Sequence, residues 1–260
     1  MLELWEAERV IDKMGSGRTG PLLVNCARLT GDGIASQNFV VKAIGLPEIT
    51  QYYLFNEAIG LRTASRLGVR VPEVALIEIS DECIAANREQ LDLMAPNLKS
   101  GIAVGSTHVA GVAPYVHNQN PSDTEVRDAM WIYASDLVLQ NPDRKPSNHN
   151  CGQYDGGIIA YDYEQSMSFR RALGGGGDPW RVTSHGICYN HLFFPLLRKM
   201  ELNWDPFCQR LLALDLDYLM KCIESLPSEW CSQTDKVIDH IVGAVNYVDR
   251  LGEELVRSLA

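Results

Sequence analysis

The sequence predicts an α+β fold of two lobes: an N-terminal antiparallel sheet carrying one helix over residues 1–110, and a mainly helical lobe over residues 111–260. Three observations carry this reading. Residues 7–44 break into three runs rich in Val, Ile and Leu, separated by glycine-bearing turns, as strands of a meander do. A single helical pattern follows near residue 50, and two further strand-like runs come after it. From Ser122 onward, apolar residues recur mostly at helical spacing until the end of the chain.

Taken in order, the strands are Ala7 to Met14, Pro21 to Leu29 and Asn38 to Ile44, with Gly15 to Gly20 and Gly31-Asp32-Gly33 in the turns. The first helix runs from about Ile49 to Leu67, with Thr50 as its cap and Gly68 as its stop. Val71 to Ile79 and Gly101 to Val109 complete a five-stranded sheet. Ser122 and Glu125 then form a capping box in front of a helix that buries Val126, Met130, Ile132, Tyr133, Leu137 and Val138. After a turn-rich loop, Asn141 to Gly152, comes a short strand, Gly157 to Asp162. The remainder reads as helices near residues 189–200, 206–223 and 234–259, with Gly174 to Gly177 as a mobile loop.

Composition narrows the function. A chain of 260 residues that is 46% hydrophobic can bury a substantial core, so disorder is not expected. A net charge of -10 argues against nucleic-acid binding, which relies on Lys and Arg neutralising phosphates, and against an anionic lipid surface. The seven cysteines are scattered, without the close pairs of zinc sites, and read as reduced thiols of a cytoplasmic protein. Neither a signal peptide nor a membrane-spanning run is expected.

The junction of the lobes, near Thr107 to Pro114, is where a ligand cleft is expected. Gly15-Ser16-Gly17-Arg18 either approaches an anionic group through backbone N–H groups or is an ordinary hairpin turn. Lys42 ends a strand, and Glu57 lies in the apolar stripe of the next helix, where a carboxylate wants a cation. A phosphate-holding pair and two solvated residues both fit that pattern. Asp143 and Asn148 stand five positions apart in Asn141-Pro142-Asp143-Arg144-Lys145-Pro146-Ser147-Asn148, the spacing of a phosphotransferase loop in which Asp orients the attacking hydroxyl and Asn binds metal. Turn formers alone would also account for that composition. Asp162 follows fourteen residues later at the end of an apolar run, as a second oxygen ligand for magnesium or as a plain strand terminator. The order of the five elements makes the case.

These residues resemble the HipA-like kinases, whose layout is related to that of phosphatidylinositol kinases. The resemblance lies in Val40-Val41-Lys42, Asn56-Glu57-Ala58, Ala64 to Pro72, Gly101 to Ser106, Asn141-Pro142-Asp143-Arg144 with Asn148, and Tyr161-Asp162-Tyr163, over about residues 7–170. It implies a two-lobed protein-kinase-like fold using ATP and Mg2+, with Lys42 on the α- and β-phosphates, Glu57 bracing it, Asp143 as catalytic base, and Asn148 and Asp162 as metal ligands. The hinge facing adenine would be Thr107 to Gly111, with Val109 at its middle. Lys145-Pro146 stands where the family often has His, and Tyr163-Glu164 replaces a Phe-Gly pair, which leaves the activation mechanism open. Better known members phosphorylate Ser or Thr hydroxyls in bacterial toxin settings, and a regulatory protein partner is compatible with that. A counterpart of the extra N-terminal portion of the longer toxins is not expected here, so a partner-regulated toxin role does not follow from the resemblance.

The leading expectation is phosphoryl transfer to a protein or small-molecule hydroxyl. Its competitors are a nucleotide-binding module without chemistry and a transfer of nucleotidyl instead of phosphoryl groups. A hydrolase is disfavoured, because the chain has no Gly-x-Ser-x-Gly elbow and its six histidines show no ligand spacing.

Overall fold

The computed structural model describes residues 2–15, 18–172 and 177–260, so Ser16, Gly17 and most of the Gly174 to Gly177 run lie outside the described residues. The chain forms two compact units: Met1–Ala58 with Pro72–Ala110 and Lys221–Ser232, and Ile59–Val71 with Gly111–Met220 and Gln233–Ala260.

In the first unit, β1 (Leu4–Lys13), β2 (Leu22–Thr30) and β3 (Gly33–Lys42) form the antiparallel meander. Leu22, Val24 and Cys26 alternate along β2, and all three are buried, which fixes the register that pairs Leu22 with Val41 and Val24 with Phe39. β4 (Val74–Ile79) and β5 (Gly101–Thr107) complete the sheet. The order β1-β2-β3-β5-β4 closes into a barrel. Closure corrects the expectation of a wholly antiparallel sheet: β1 pairs with β4 in parallel, Leu4 opposite Leu76. A closed barrel leaves neither edge strand unpaired.

The expectation of one helix also needs correction. Besides α1 (Gln51–Arg66), two short helices stand between β4 and β5, α2 (Asp81–Ala86) and α3 (Arg88–Met94). Each buries a single apolar side chain, Cys83 or Leu91, too weak a period to see in sequence. Their anchor is Asn87. Its side chain accepts from the Val10 N–H at 2.9 Å and donates to the carbonyls of Glu8 at 3.1 Å and Cys83 at 2.8 Å.

α1 is stopped just past Arg66 by Gly68, which adopts φ +95°, with Val69 N–H bonded to the Ala64 carbonyl at 3.0 Å. A Cβ there would lie 2.5 Å from Trp131 Cζ3. Gly68→Ala combines left-handed strain with a clash, so a loss of about 1–3 kcal/mol is expected. The check is the urea midpoint at unchanged m-value.

In the second unit, β6 (Ala113–Pro114), β7 (Cys151–Tyr154) and β8 (Gly157–Ala160) form a small antiparallel sheet beside α4 (Asp123–Val138). The Ser122–Glu125 capping box is present at the start of α4. β8 stops at Ala160, two residues short of the expected strand end at Asp162.

The later helices are shorter than expected: α5 (Ile187–Asn190), α6 (Phe194–Leu197), α7 (Asp205–Leu212), α8 (Leu216–Glu224, which runs into the first unit), α9 (Thr234–Asn246) and α10 (Val248–Arg257). Asp215 starts α8 separately by accepting the Tyr218 N–H at 3.0 Å. The final break falls at Tyr247, yet buried Val237, Ile241, Ala244, Val248, Leu251 and Leu255 keep one helical spacing across it. Periodicity therefore could not reveal the break. Among the described residues, no helix is long and apolar enough to cross a membrane.

Candidate active site

In β3, successive side chains point to opposite faces, so Lys42 points away from the face shared by Phe39 and Val41. There its Nζ meets Glu57 Oε2 of α1 at 3.1 Å. Both residues are buried, at 5% and 3% exposure, and burial without a counter-charge would cost either one several kcal/mol. The pair thus presents an ammonium of fixed position. Other residues singled out near the first unit lie elsewhere. Gly15 has φ +60°, and Arg18 pairs on the surface with Glu48 at 2.9 Å. Thr107 ends β5, and both its N–H and its hydroxyl donate to the Glu73 carbonyl, at 2.8 and 3.1 Å. Val109 and Gly111, the latter at φ +81°, lie in the connection to β6.

In the second unit, the loop after α4 turns sharply at Lys145-Pro146-Ser147-Asn148. Lys145 N–H donates to the Asn148 carbonyl at 3.0 Å, and Asn148 N–H returns a bond to the Lys145 carbonyl at 2.8 Å. Proline at the second position of this turn suits its fixed φ. The turn folds Asn148 back onto Asp143, whose Oδ2 accepts from Asn148 Nδ2 at 2.8 Å and from Asn150 Nδ2 at 3.1 Å. Lys145 Nζ lies 3.5 Å from the other oxygen, Oδ1. The carboxylate is held by three groups and remains partly exposed.

Beneath the loop lies a hub that the sequence reading missed. Asp136 of α4 is fully buried, and it accepts from Arg144 Nε at 2.5 Å, His191 Nε2 at 3.0 Å and Asn141 Nδ2 at 3.0 Å. Burial alone would raise the Asp136 carboxyl, but the Arg144 guanidinium beside it outweighs that and holds it below the usual carboxylate range. The guanidinium in turn is held more basic than usual by Asp136, against its own burial. Burial pushes the His191 imidazole below its ordinary value, so the ring is neutral near pH 7. One sequence signal was available: Asp136 sits inside the apolar run Ile132 to Leu139, where a carboxylate requires a partner.

Arg144 also spans the loop. Its Nη1 donates to the Asn150 carbonyl, and it lies 3.4 Å from the Tyr161 carbonyl. Tyr161 N–H donates to that same Asn150 carbonyl at 3.0 Å. Asp162 follows directly in a left-handed conformation, φ +63°, which Asp tolerates better than most residues. Gly60 of α1 allows Tyr163 to pack close by, since a Cβ at Gly60 would come within 2.7 Å of it.

Of the predicted site residues, Asp143 contacts Asn148 directly. Asp162 is tied to the same loop through Asn150 and Tyr161, and Lys42 contacts Glu57. Among the described residues, no three His, Cys, Asp or Glu side chains cluster as a metal site. Divalent binding would therefore draw on amide oxygen as well as carboxylate, a donor set that suits magnesium. Asn148 spends its Nδ2 on Asp143, which leaves Oδ1 as the acceptor for a ligand.

A pocket of about 430 Å³ opens beside the loop, lined by Val112, Tyr115, Asn148, His149, Cys151 and Tyr161 among others. Burial pushes the Tyr115 phenol up to about 12, so it stays protonated. Its ring meets His149 and Phe193 edge-on, with centroids 5.7 and 5.3 Å apart.

The solved structure of a proinflammatory kinase from Helicobacter pylori, CtkA, is similar over 99% of this chain and 98% of its own, with a TM-score of 0.51 and 12% identity. At that identity the likeness speaks for the fold alone. No curated protein matches the sequence. A family model described as HipA-like kinase matches residues 7–154, a span that holds Lys42, Glu57, Asp143, Arg144 and Asn148. That match covers more than half of the chain, and by it the chain belongs to the HipA-like kinase family.

Proposed function

We propose that this chain is an ATP- and magnesium-dependent phosphotransferase that moves a terminal phosphoryl group to a hydroxyl, of a protein Ser or Thr or of a small molecule. The observation that carries the reading is the Asp143 carboxylate, oriented by two amides and an ammonium and still partly open to solvent. A carboxylate so held can orient an acceptor hydroxyl and take its proton as the oxygen attacks.

Lys42, fixed by Glu57, is assigned to the nucleotide phosphates, and Asn148 Oδ1 and Asp162 are assigned to the metal. When bound, magnesium neutralises charge on the phosphate oxygens. The glycine turn Gly15 to Arg18 and the hinge segment with Thr107, Val109 and Gly111 are assigned to the rest of the nucleotide. The pocket beside Asn148, partly aromatic and lined without lysine or arginine, suits a sugar or base more than phosphates. Positioning and charge stabilisation account for most phosphoryl-transfer catalysis, so these fixed groups suffice in kind.

Incubation with ATP and magnesium, followed by ADP measurement and intact-mass analysis with candidate hydroxyl acceptors, tests the reading. ADP formation with a phosphoryl mass increment is expected. Thermal stabilisation by ATP and magnesium without turnover would favour a regulatory module, and a nucleotidyl increment would favour nucleotidyl transfer.

A further inference from the structure

The segment His191–Phe193 lies outside the span matched by the family model, and the proposed function gives it no role. It nevertheless touches the Asp143 loop and its supports at three points. His191 Nε2 meets Asp136 Oδ2 at 3.0 Å. Leu192 N–H donates to the Arg144 carbonyl at 3.0 Å. The Phe193 ring packs edge-on against Tyr115, a wall of the pocket beside Asn148.

From these contacts we infer that His191 is a positioning residue for the Asp143 loop, a neutral hydrogen-bond donor that fixes the Asp136 carboxylate on which the loop hangs. The tautomer follows from the geometry. His191 Nδ1 accepts the Phe193 N–H at 3.1 Å, so the ring proton resides on Nε2 and is donated to Asp136. The bonds then run in series: Asp136 Oδ1 accepts from Asn141 Nδ2 at 3.0 Å, and Asn141 Oδ1 accepts the Asp143 backbone N–H at 3.2 Å. Asp136 and Arg144 already balance in charge, with both side chains at 0% exposure. A neutral donor adds a bond there without adding net charge to a dry site, which a lysine or arginine could not do.

This inference rests on the proposed phosphotransferase reading for its kinetic arm. His191→Phe keeps a ring but removes the donor, whereas His191→Gln retains an amide N–H. With ATP and magnesium, His191→Phe is expected to lower kcat by about 10- to 100-fold, as a sub-ångström misplacement of a reacting group does, while KM for ATP moves less than about threefold. His191→Gln is expected to restore most of kcat. Wild-type kcat in His191→Phe, or equal impairment of both variants, overturns the inference.

Two measurements decide it independently of turnover, and so separate its failure from failure of the functional reading. Amide hydrogen exchange across residues 141–150 should quicken in His191→Phe and not in His191→Gln, and unchanged exchange in both sinks the idea. In the wild-type protein, which needs no variant to fold, the histidine ring nitrogens seen by NMR should report a neutral Nε2–H tautomer for His191. An Nδ1–H tautomer or a charged ring overturns it.

Discussion

Replacing Asp143 by alanine is expected to lower kcat for phosphoryl transfer by about 10²- to 10⁴-fold, the usual worth of a positioned general base. On the barrier this amounts to about 3–5 kcal/mol. Binding of ATP with magnesium should persist, because Lys42, assigned to the nucleotide phosphates, is held in place by Glu57. The measurement pairs steady-state ADP formation with the ATP-induced shift in Tm. Transfer at the wild-type rate would remove Asp143 from its assigned role. Loss of the Tm shift would instead place it in nucleotide binding. Asp143→Asn is the sharper variant, since it keeps the shape of the side chain and one oxygen to accept from Asn148 and Asn150, while it removes the charge and the basic oxygen beside Lys145.

The largest expected loss of stability comes from Asp136→Ala. Both members of the Asp136–Arg144 pair have side chains at 0% exposure, so removing the carboxylate leaves a guanidinium charge among carbonyls, without a counter-charge in the pair. Breaking a buried pair in this way typically costs about 3–5 kcal/mol, a large share of the roughly 5–15 kcal/mol by which domains are stable. The midpoint of urea unfolding should fall accordingly at unchanged m-value, and kcat should fall with it because Asn141 and His191 lose their common acceptor.

The pH dependence has a definite sign. The folded pair holds the Asp136 carboxyl below its unfolded value, so its contribution to stability is full above about pH 4 and is lost as pH falls toward and through the folded value. A variant lacking Asp136 should lose less stability between pH 5 and pH 3 than the wild type, as urea unfolding at each pH would show.

Much of the segment up to Gly68 could be read directly. The alternation along β2, the end of β3 at Lys42 and the stop at Gly68 each follow from local chemistry: side-chain period, strand propensity and a left-handed cap. The capping box at Ser122 was equally legible, because both of its bonds are made within four residues. By contrast, α2 and α3 were missed because each buries one apolar residue, and their fixing bonds reach back to β1 through Asn87. The break at Tyr247 was hidden because the apolar spacing runs through it unaltered.

The same division holds at the candidate site. Sequence by itself determined the chemical types and their order: a strand lysine, a helix glutamate, an Asp and Asn five positions apart in a turn-forming loop, and a later Asp, together with the family they resemble. Those are properties of residues close along the chain. Only the tertiary structure decided that the barrel closes through a parallel pair, that Asn150 shares Asp143 with Asn148, and that the loop hangs on Asp136, Arg144 and His191. The physical reason is separation along the chain: Asp136 and His191 stand 55 residues apart, and what joins them is the need of a buried charge for every donor within reach, which no local pattern records.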